Sequence, residues 1–216
     1  MDLLPSEILN EILLLVDRPS ILLASKVCHQ WQSLSLGQVV PIKSEDVFRE
    51  VCRRGDSFSL SKSRFRREWV ELGLIIACGD GHPDLVKLFI EKGASNWNYG
   101  LHAACAGGHP DLAKFMIEKG ANDWNGGLYH ACRDEQLGLV KFMIEKGATN
   151  WDRGLSGACR GGHLELVKLF IEKGAADWNG GLDHACWGGH LELIKFMIEK
   201  GASSCYCGKS VEEHLS

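Results

Sequence analysis

One interval governs this chain. Cys78, Cys105, Cys132, Cys159 and Cys186 recur every 27 residues, and Gly93, Gly120, Gly147, Gly174 and Gly201 keep the same step. Trp97, Trp124, Trp151 and Trp178 keep it too, so the unit reads G-L-x-x-A-C-x-G-G-H-x-x-L-V-K-F-M-I-E-K-G-A-x-x-W-N, in five copies from about Gly73 to Cys207. A fixed period of this kind means that each unit meets only its neighbours, and the core is built by stacking copies.

Each unit reads as two short helices. Leu101 to Cys105 forms the first, with small Ala104 and Cys105 where helices approach closely, and Gly107-Gly108 breaks it. Pro83 and Pro110 stand where a second helix starts, a position proline tolerates because its missing N–H is not needed there. Asp84, Asp111, Glu165 and Glu192 follow, suiting the positive end of a helix dipole. Leu112, Phe115, Met116 and their equivalents recur at helical steps and predict one buried stripe. Gly120 and its equivalents predict left-handed caps. In the third copy Asp134-Glu135-Gln136-Leu137-Gly138 replaces G-G-H-P-D. If Glu135 takes the left-handed conformation expected of Gly108, the strain is about 1 kcal/mol; the alternatives are a reshaped turn or an acidic patch used in binding.

The copies resemble the ankyrin repeat: Leu101-His102-Ala103-Ala104, then Gly108-His109, then Ile117 to Ala121 follow that family's L-H-x-A-A, G-H and terminal G-A cues. The family unit is about 33 residues long. The shortfall falls between Trp124 and Leu128, where the family carries a β-hairpin and a Thr-Pro, so tight turns are expected in place of hairpin fingers. The resemblance implies an all-α solenoid whose first helices line one face. Positions that vary between copies would lie on it. The candidates for binding a target protein are His102, Tyr129, His130, Arg133, Arg160, Asp183, His184 and Trp187, rich in the Tyr, Trp and Arg that dominate interface energies. Relaxed constraint on an exposed face is the plainer alternative.

The first forty residues carry a different pattern. Leu4, Ile8, Leu9, Ile12 and Leu13 fall at helical spacing, giving an apolar face too large for so short a segment to cover. Leu4-Pro5-Ser6-Glu7-Ile8-Leu9, Asp17, Ile21-Leu22 and Val27-Cys28 through Trp31 resemble an F-box without a gap. That resemblance implies docking on the Skp-type adaptor of a cullin–RING ubiquitin ligase, with Leu4, Pro5, Ile8, Leu9, Ile12 and Trp31 at the contact or in its supporting core. An amphipathic helix capping the solenoid is the alternative. The expected plan is an F-box-like segment at 1–40, a linker and degenerate capping repeat at 41–71, five repeats at 72–207 and a tail at 208–216. Within the linker, Val47 to Cys52 echoes a repeat, and Lys62, Arg64, Arg66 and Arg67 form a basic run, read as a solvated helix face rather than a nuclear-import or nucleic-acid patch.

Other chemistry finds little support. Nine cysteines, an odd number, argue against a complete disulfide framework, and a reducing cytoplasmic or nuclear setting is expected (a host cell's, if the compact copies are of viral type). No signal peptide is visible, and no run reaches the roughly 20 apolar residues of a membrane helix. Net charge is −4, which does not favour nucleic acid. His102 with Cys105 and His184 with Cys186 suggest a nucleophile pair, but a catalytic pair would not recur with the repeat. Cys205 and Cys207 with Cys186, His190 or His214 are the one metal suggestion, at a spacing foreign to common structural zinc sites. No cofactor, metal or catalytic residue is expected. A receptor subunit for a ubiquitin ligase is the leading expectation; a plain scaffold that sequesters its partner is the alternative.

Overall fold

The computed structural model describes residues 42–205. Leu4, Pro5, Ile8, Leu9, Ile12 and Trp31 lie outside the described residues, as does the tail at 208–216. Two compact units share the described chain. The first holds the described residues up to Ala77 together with His82–Ser95; the second holds Cys78–Gly81 and the described residues from Asn96 on.

In the first unit, α1 (Glu45–Arg53) and α2 (Ser57–Lys62) precede a 3-10 turn (Arg67–Trp69), α3 (Val70–Gly79), whose last two residues are counted with the second unit, and α4 (Pro83–Glu91). Phe48, with no exposed surface, meets the rings of Phe65, Trp69 and Phe89 at 5.1, 5.3 and 5.9 Å. The Nε2 of His82 lies 2.7 Å from the Arg53 carbonyl, a bond in which the ring N–H donates. The basic run departs from expectation. Arg64 and Arg66 lie on an extended segment, where the Arg64 carbonyl accepts from Ile42 N–H at 2.7 Å, and not on a helix. Arg66 covers the Trp69 ring and pairs with Glu68 at 3.0 Å.

The second unit is four helix pairs: α5 (Trp97–Gly107) with α6 (Pro110–Glu118), α7 (Trp124–Arg133) with α8 (Leu137–Lys146), α9 (Trp151–Gly161) with α10 (Leu164–Glu172), and α11 (Trp178–Gly188) with α12 (Leu191–Glu199). Each first helix packs on the next first helix and on its own partner. The first helices begin at the tryptophans, a full turn before Leu101 and its equivalents. The W-N pair therefore opens a helix instead of closing a repeat. In three of the four a cap opens the helix: Asp123, Asn150 and Asp177 each accept a hydrogen bond from the backbone three residues on, at 2.9, 3.1 and 2.9 Å, satisfying an amide the first turn would otherwise leave bare.

The second residue of each first helix ties one repeat to the next. Asn98 Oδ1 accepts from the amides of Asn122 and Asp123 at 2.9 and 3.0 Å. Asn125, Asp152 and Asn179 do the same for 149–150, 176–177 and 203–204. These bonds hold the links tight where the longer family unit would extend a hairpin, and the links at 119–123, 147–150 and 173–177 contain no strand. Turn imidazoles tie the other end: His109, His163 and His190 bond the carbonyls of Gly79, Arg133 and Arg160 at 3.1, 2.9 and 3.0 Å.

The buried stripe is narrower than the periodicity predicts. Leu112, Ala113 and Met116 are enclosed, whereas Phe115 is half-exposed, with the Lys119 ammonium 5.3 Å from its ring centre. Ala104, Cys105, Ala131, Cys132, Ala158 and Cys159 are fully buried between helices. On the exposed face of the second helices, Lys87 reaches back to Asp84 at 3.9 Å, Lys114 to Asp111 at 3.5 Å and Lys168 to Glu165 at 2.7 Å.

Glu135 has φ +56, the one described non-glycine residue with positive φ. The turn is also reshaped. Helix α7 ends at Arg133, and Gln136, standing where other copies have histidine, donates to the Asp134 carbonyl within its own turn at 3.0 Å. Glu135→Gly should therefore stabilise the protein by up to about 0.5 kcal/mol, the relieved strain of about 1 kcal/mol less glycine's entropic cost of about 0.5–1 kcal/mol. A rise in the midpoint of urea unfolding checks it; an unchanged or lower midpoint refutes it.

Candidate protein-binding surface

The variable positions of the first helices meet as a chain of rings. His102 and His130 stack with centres 5.2 Å apart and planes 24° apart. His130 meets Tyr129 edge-on at 5.1 Å, Tyr129 meets His184 at 5.4 Å, and His184 meets Trp187 edge-on at 4.9 Å. The Arg160 guanidinium caps the line, 5.6 Å from the Trp187 ring centre. Tyr99, 56 % exposed, begins it beside His102.

The Tyr129–His184 contact joins residues two repeats apart, with Tyr129 Oη 3.4 Å from His184 Nδ1. What permits it is the intervening copy. Ser156 and Gly157 stand on α9 where α7 has Tyr129 and His130. A Cβ at Gly157 would lie 2.3 Å from the Tyr129 carbonyl oxygen. Helix α9 thus lies against α7 there, and rings from its two neighbours close above its small residues.

Burial and charge set the protonation of this surface. Burial first, then His102 and Arg133, bring the His130 imidazole down to about 4. Its Nδ1 is buried without a hydrogen-bond partner. Burial and then Arg160 lower His184, and burial raises Tyr129 against the opposing charge of Arg160, Arg133 and Arg153. His102 Nε2 lies 3.0 Å from Asp123 Oδ2, ion-pair distance but off the line of a hydrogen bond. Six of the eight expected residues join the ring line: His102, Tyr129, His130, Arg160, His184 and Trp187. Arg133 turns aside to pair with Asp134 at 2.6 Å. Asp183 is a correction: at 7 % exposure it faces the interior and offers a partner little.

A family model described as ankyrin repeats, three copies, matches residues 74–154 and again 128–206. The chain belongs to the ankyrin-repeat family. The F-box domain model matches residues 1–43, so the chain is an F-box protein with ankyrin repeats. A comparison with curated proteins returned no match. Both domains are of kinds that bind other proteins, with F-boxes binding Skp-type adaptors.

Two residues of the ankyrin surface escape the sequence reading. Tyr99 lies in the helical turn before Leu101, and Arg153, exposed on α9, lies in the matching turn. A helix started at the tryptophan would have found both. A cysteine nucleophile meets a physical obstacle: burial pushes the Cys78, Cys105 and Cys159 thiols up to about 12 and Cys132 further, whereas a nucleophile needs the thiolate. Cys186 Sγ lies 3.5 Å from Cys205 Sγ. Among the described residues no three potential ligands gather into a metal site, and Cys207 and His214 lie outside them.

Proposed function

We propose that this chain is a substrate-receptor subunit of an SCF-type cullin–RING ubiquitin ligase, its F-box binding the Skp-type adaptor and its ankyrin repeats holding a target protein. The observation that carries the reading is the union of the two matches in one chain, an F-box at 1–43 and repeats at 74–206. Supporting it, the repeats carry a line of half-buried rings and an exposed tryptophan, the side chains of interface hot spots. The contribution is proximity without bond chemistry. Holding a target beside a ubiquitin-charged enzyme replaces a bimolecular encounter with a local one at an effective concentration reaching the millimolar range for short flexible tethers. The reading places the protein in the cytoplasm or nucleus.

Binding of the full chain to a purified Skp-type adaptor tests this. The wild-type chain is expected to bind at micromolar concentration or below. Replacing Pro5 and Ile8 together by Asp should weaken binding about tenfold or more, since charge would enter an apolar contact, while the helical circular-dichroism signal persists. No adaptor binding by the wild-type chain would overturn the ligase reading and leave a sequestering scaffold.

A further inference from the structure

Beside the ring line, helix α9 carries two cations. Arg153 and Arg160 stand seven residues apart, two helical turns, so they share a face about 10 Å apart along the axis. Neither forms an ion pair among the described residues. The acidic groups of the same repeats are committed elsewhere. Asp134 holds Arg133, Asp152 accepts the amides of Ala176 and Asp177, Asp177 caps α11, and Asp183 is buried. Arg160 lies over the Trp187 ring at the end of the ring line, and Arg153 is exposed two turns earlier on the same helix face; both act electrostatically on Tyr129 and His184.

We infer that the α9 face between Tyr129–His184 and Trp187 binds an acidic, extended segment of the target protein, with carboxylates on Arg153 and Arg160. The unpaired positive charge is concentrated on one helix, since Arg133 of α7 is neutralised by Asp134. The rings of Tyr129 and His184 close over Ser156 and Gly157 between the two arginines and give the peptide an apolar floor flanked by charge. Trp187, 58 % exposed, supplies apolar surface beside the charge and orients Arg160 by the attraction of a cation to a ring face. Arginine suits the task because its planar fork matches a carboxylate in two bonds at once. The inference rests on the reading of the repeats as a target-binding surface and names the chemistry of the target.

The test is selection of random decapeptides from a display library against the full chain at 0.1 M salt, followed by affinity measurement of the enriched peptides. Enrichment in Asp and Glu is expected. Arg153→Ser with Arg160→Ser should weaken the selected peptides about tenfold or more, while Arg153→Lys with Arg160→Lys, which keeps the charge but loses the bidentate fork, should fall between the wild type and the serine variant. Lys114→Ala with Lys168→Ala, on second helices, should change little. Peptides without acidic enrichment, peptides indifferent to the double serine variant, or selection of peptides that bind only when serine-phosphorylated would each overturn the inference. Adaptor binding measured on the same preparations separates the two claims. A chain that binds the adaptor but selects no acidic peptide refutes only this inference, and a chain that selects acidic peptides without binding the adaptor refutes only the ligase reading.

Discussion

Gly161→Ala should lower the stability of the repeat array by about 2–4 kcal/mol, although it adds a single methyl group to a helix. Gly161 closes α9. A Cβ there would lie 2.1 Å from the Arg133 carbonyl oxygen and 2.5 Å from the His163 ring. That carbonyl is the one His163 bonds at 2.9 Å. The methyl group therefore forces α7 and α9 apart and breaks the tie between them. Overpacking of this sort costs about 1–3 kcal/mol, and the lost hydrogen bond adds about 1 kcal/mol. Gly174→Ala is the control: its φ is +100, yet a Cβ there meets nothing within 4 Å, so only conformational strain of about 1–2 kcal/mol applies. Urea unfolding of both variants beside the wild type decides the matter. Equal shifts would mean that the cross-repeat contact is not what Gly161 protects. The third copy shows how a side chain is accommodated: Asp134 stands at the corresponding position, and there the helix stops one residue early and Gln136 turns to its own loop.

Much of this fold is legible because the chain repeats itself. Five copies display which positions tolerate no change, so the left-handed caps at Gly120 and Gly147, the prolines at the start of α4 and α6, and the strained Glu135 can each be placed from the sequence. The misplaced boundary has a physical cause. Nothing in local propensity makes Trp-Asn start a helix; the start is decided by the caps at Asp123, Asn150 and Asp177 and by side chains such as Asn98 bonding amides 24 and 25 residues away. The recurrence of Asn or Asp at 98, 125, 152 and 179 is a visible signal of that tie. Burial of Asp183 is not legible, since its counterparts His102, Tyr129 and Ser156 are all partly exposed. The Tyr129–His184 contact is beyond periodicity altogether. It spans 55 residues and depends on how closely three consecutive helices stack, which is set by the missing side chain at Gly157.

Acidification should weaken the folded repeats through His130 in particular. Its folded pKa of about 4 lies below the ordinary value of 6.5, so the unfolded chain binds more protons between these limits. Stability rises with pH wherever that holds. The contribution is therefore complete above about pH 6.5 and is lost as pH falls toward 4. A tenfold difference in proton affinity between folded and unfolded chain is worth about 1.4 kcal/mol, which puts the loss at up to about 3 kcal/mol, and nearer 2 once the solvent reaching this half-buried ring is allowed for. The geometry gives the same sign. A protonated imidazole must donate from both nitrogens, and Nδ1 has no acceptor. Among its neighbours His102, Arg133 and Arg153 oppose a further positive charge, and only Asp134 favours it. His184, also lowered by burial and by Arg160, adds in the same direction. The measurement is urea unfolding at pH 7.5, 6.5, 5.5 and 4.5 for the wild type and for His130→Gln. Carboxylate titration is common to both and cancels in the difference. The wild type should lose about 2 kcal/mol more than the variant over this range, and an NMR titration should find His130 uncharged at pH 5.5. Parallel stability curves, or a His130 that titrates near 6.5, would show that the imidazole is not held neutral by the fold.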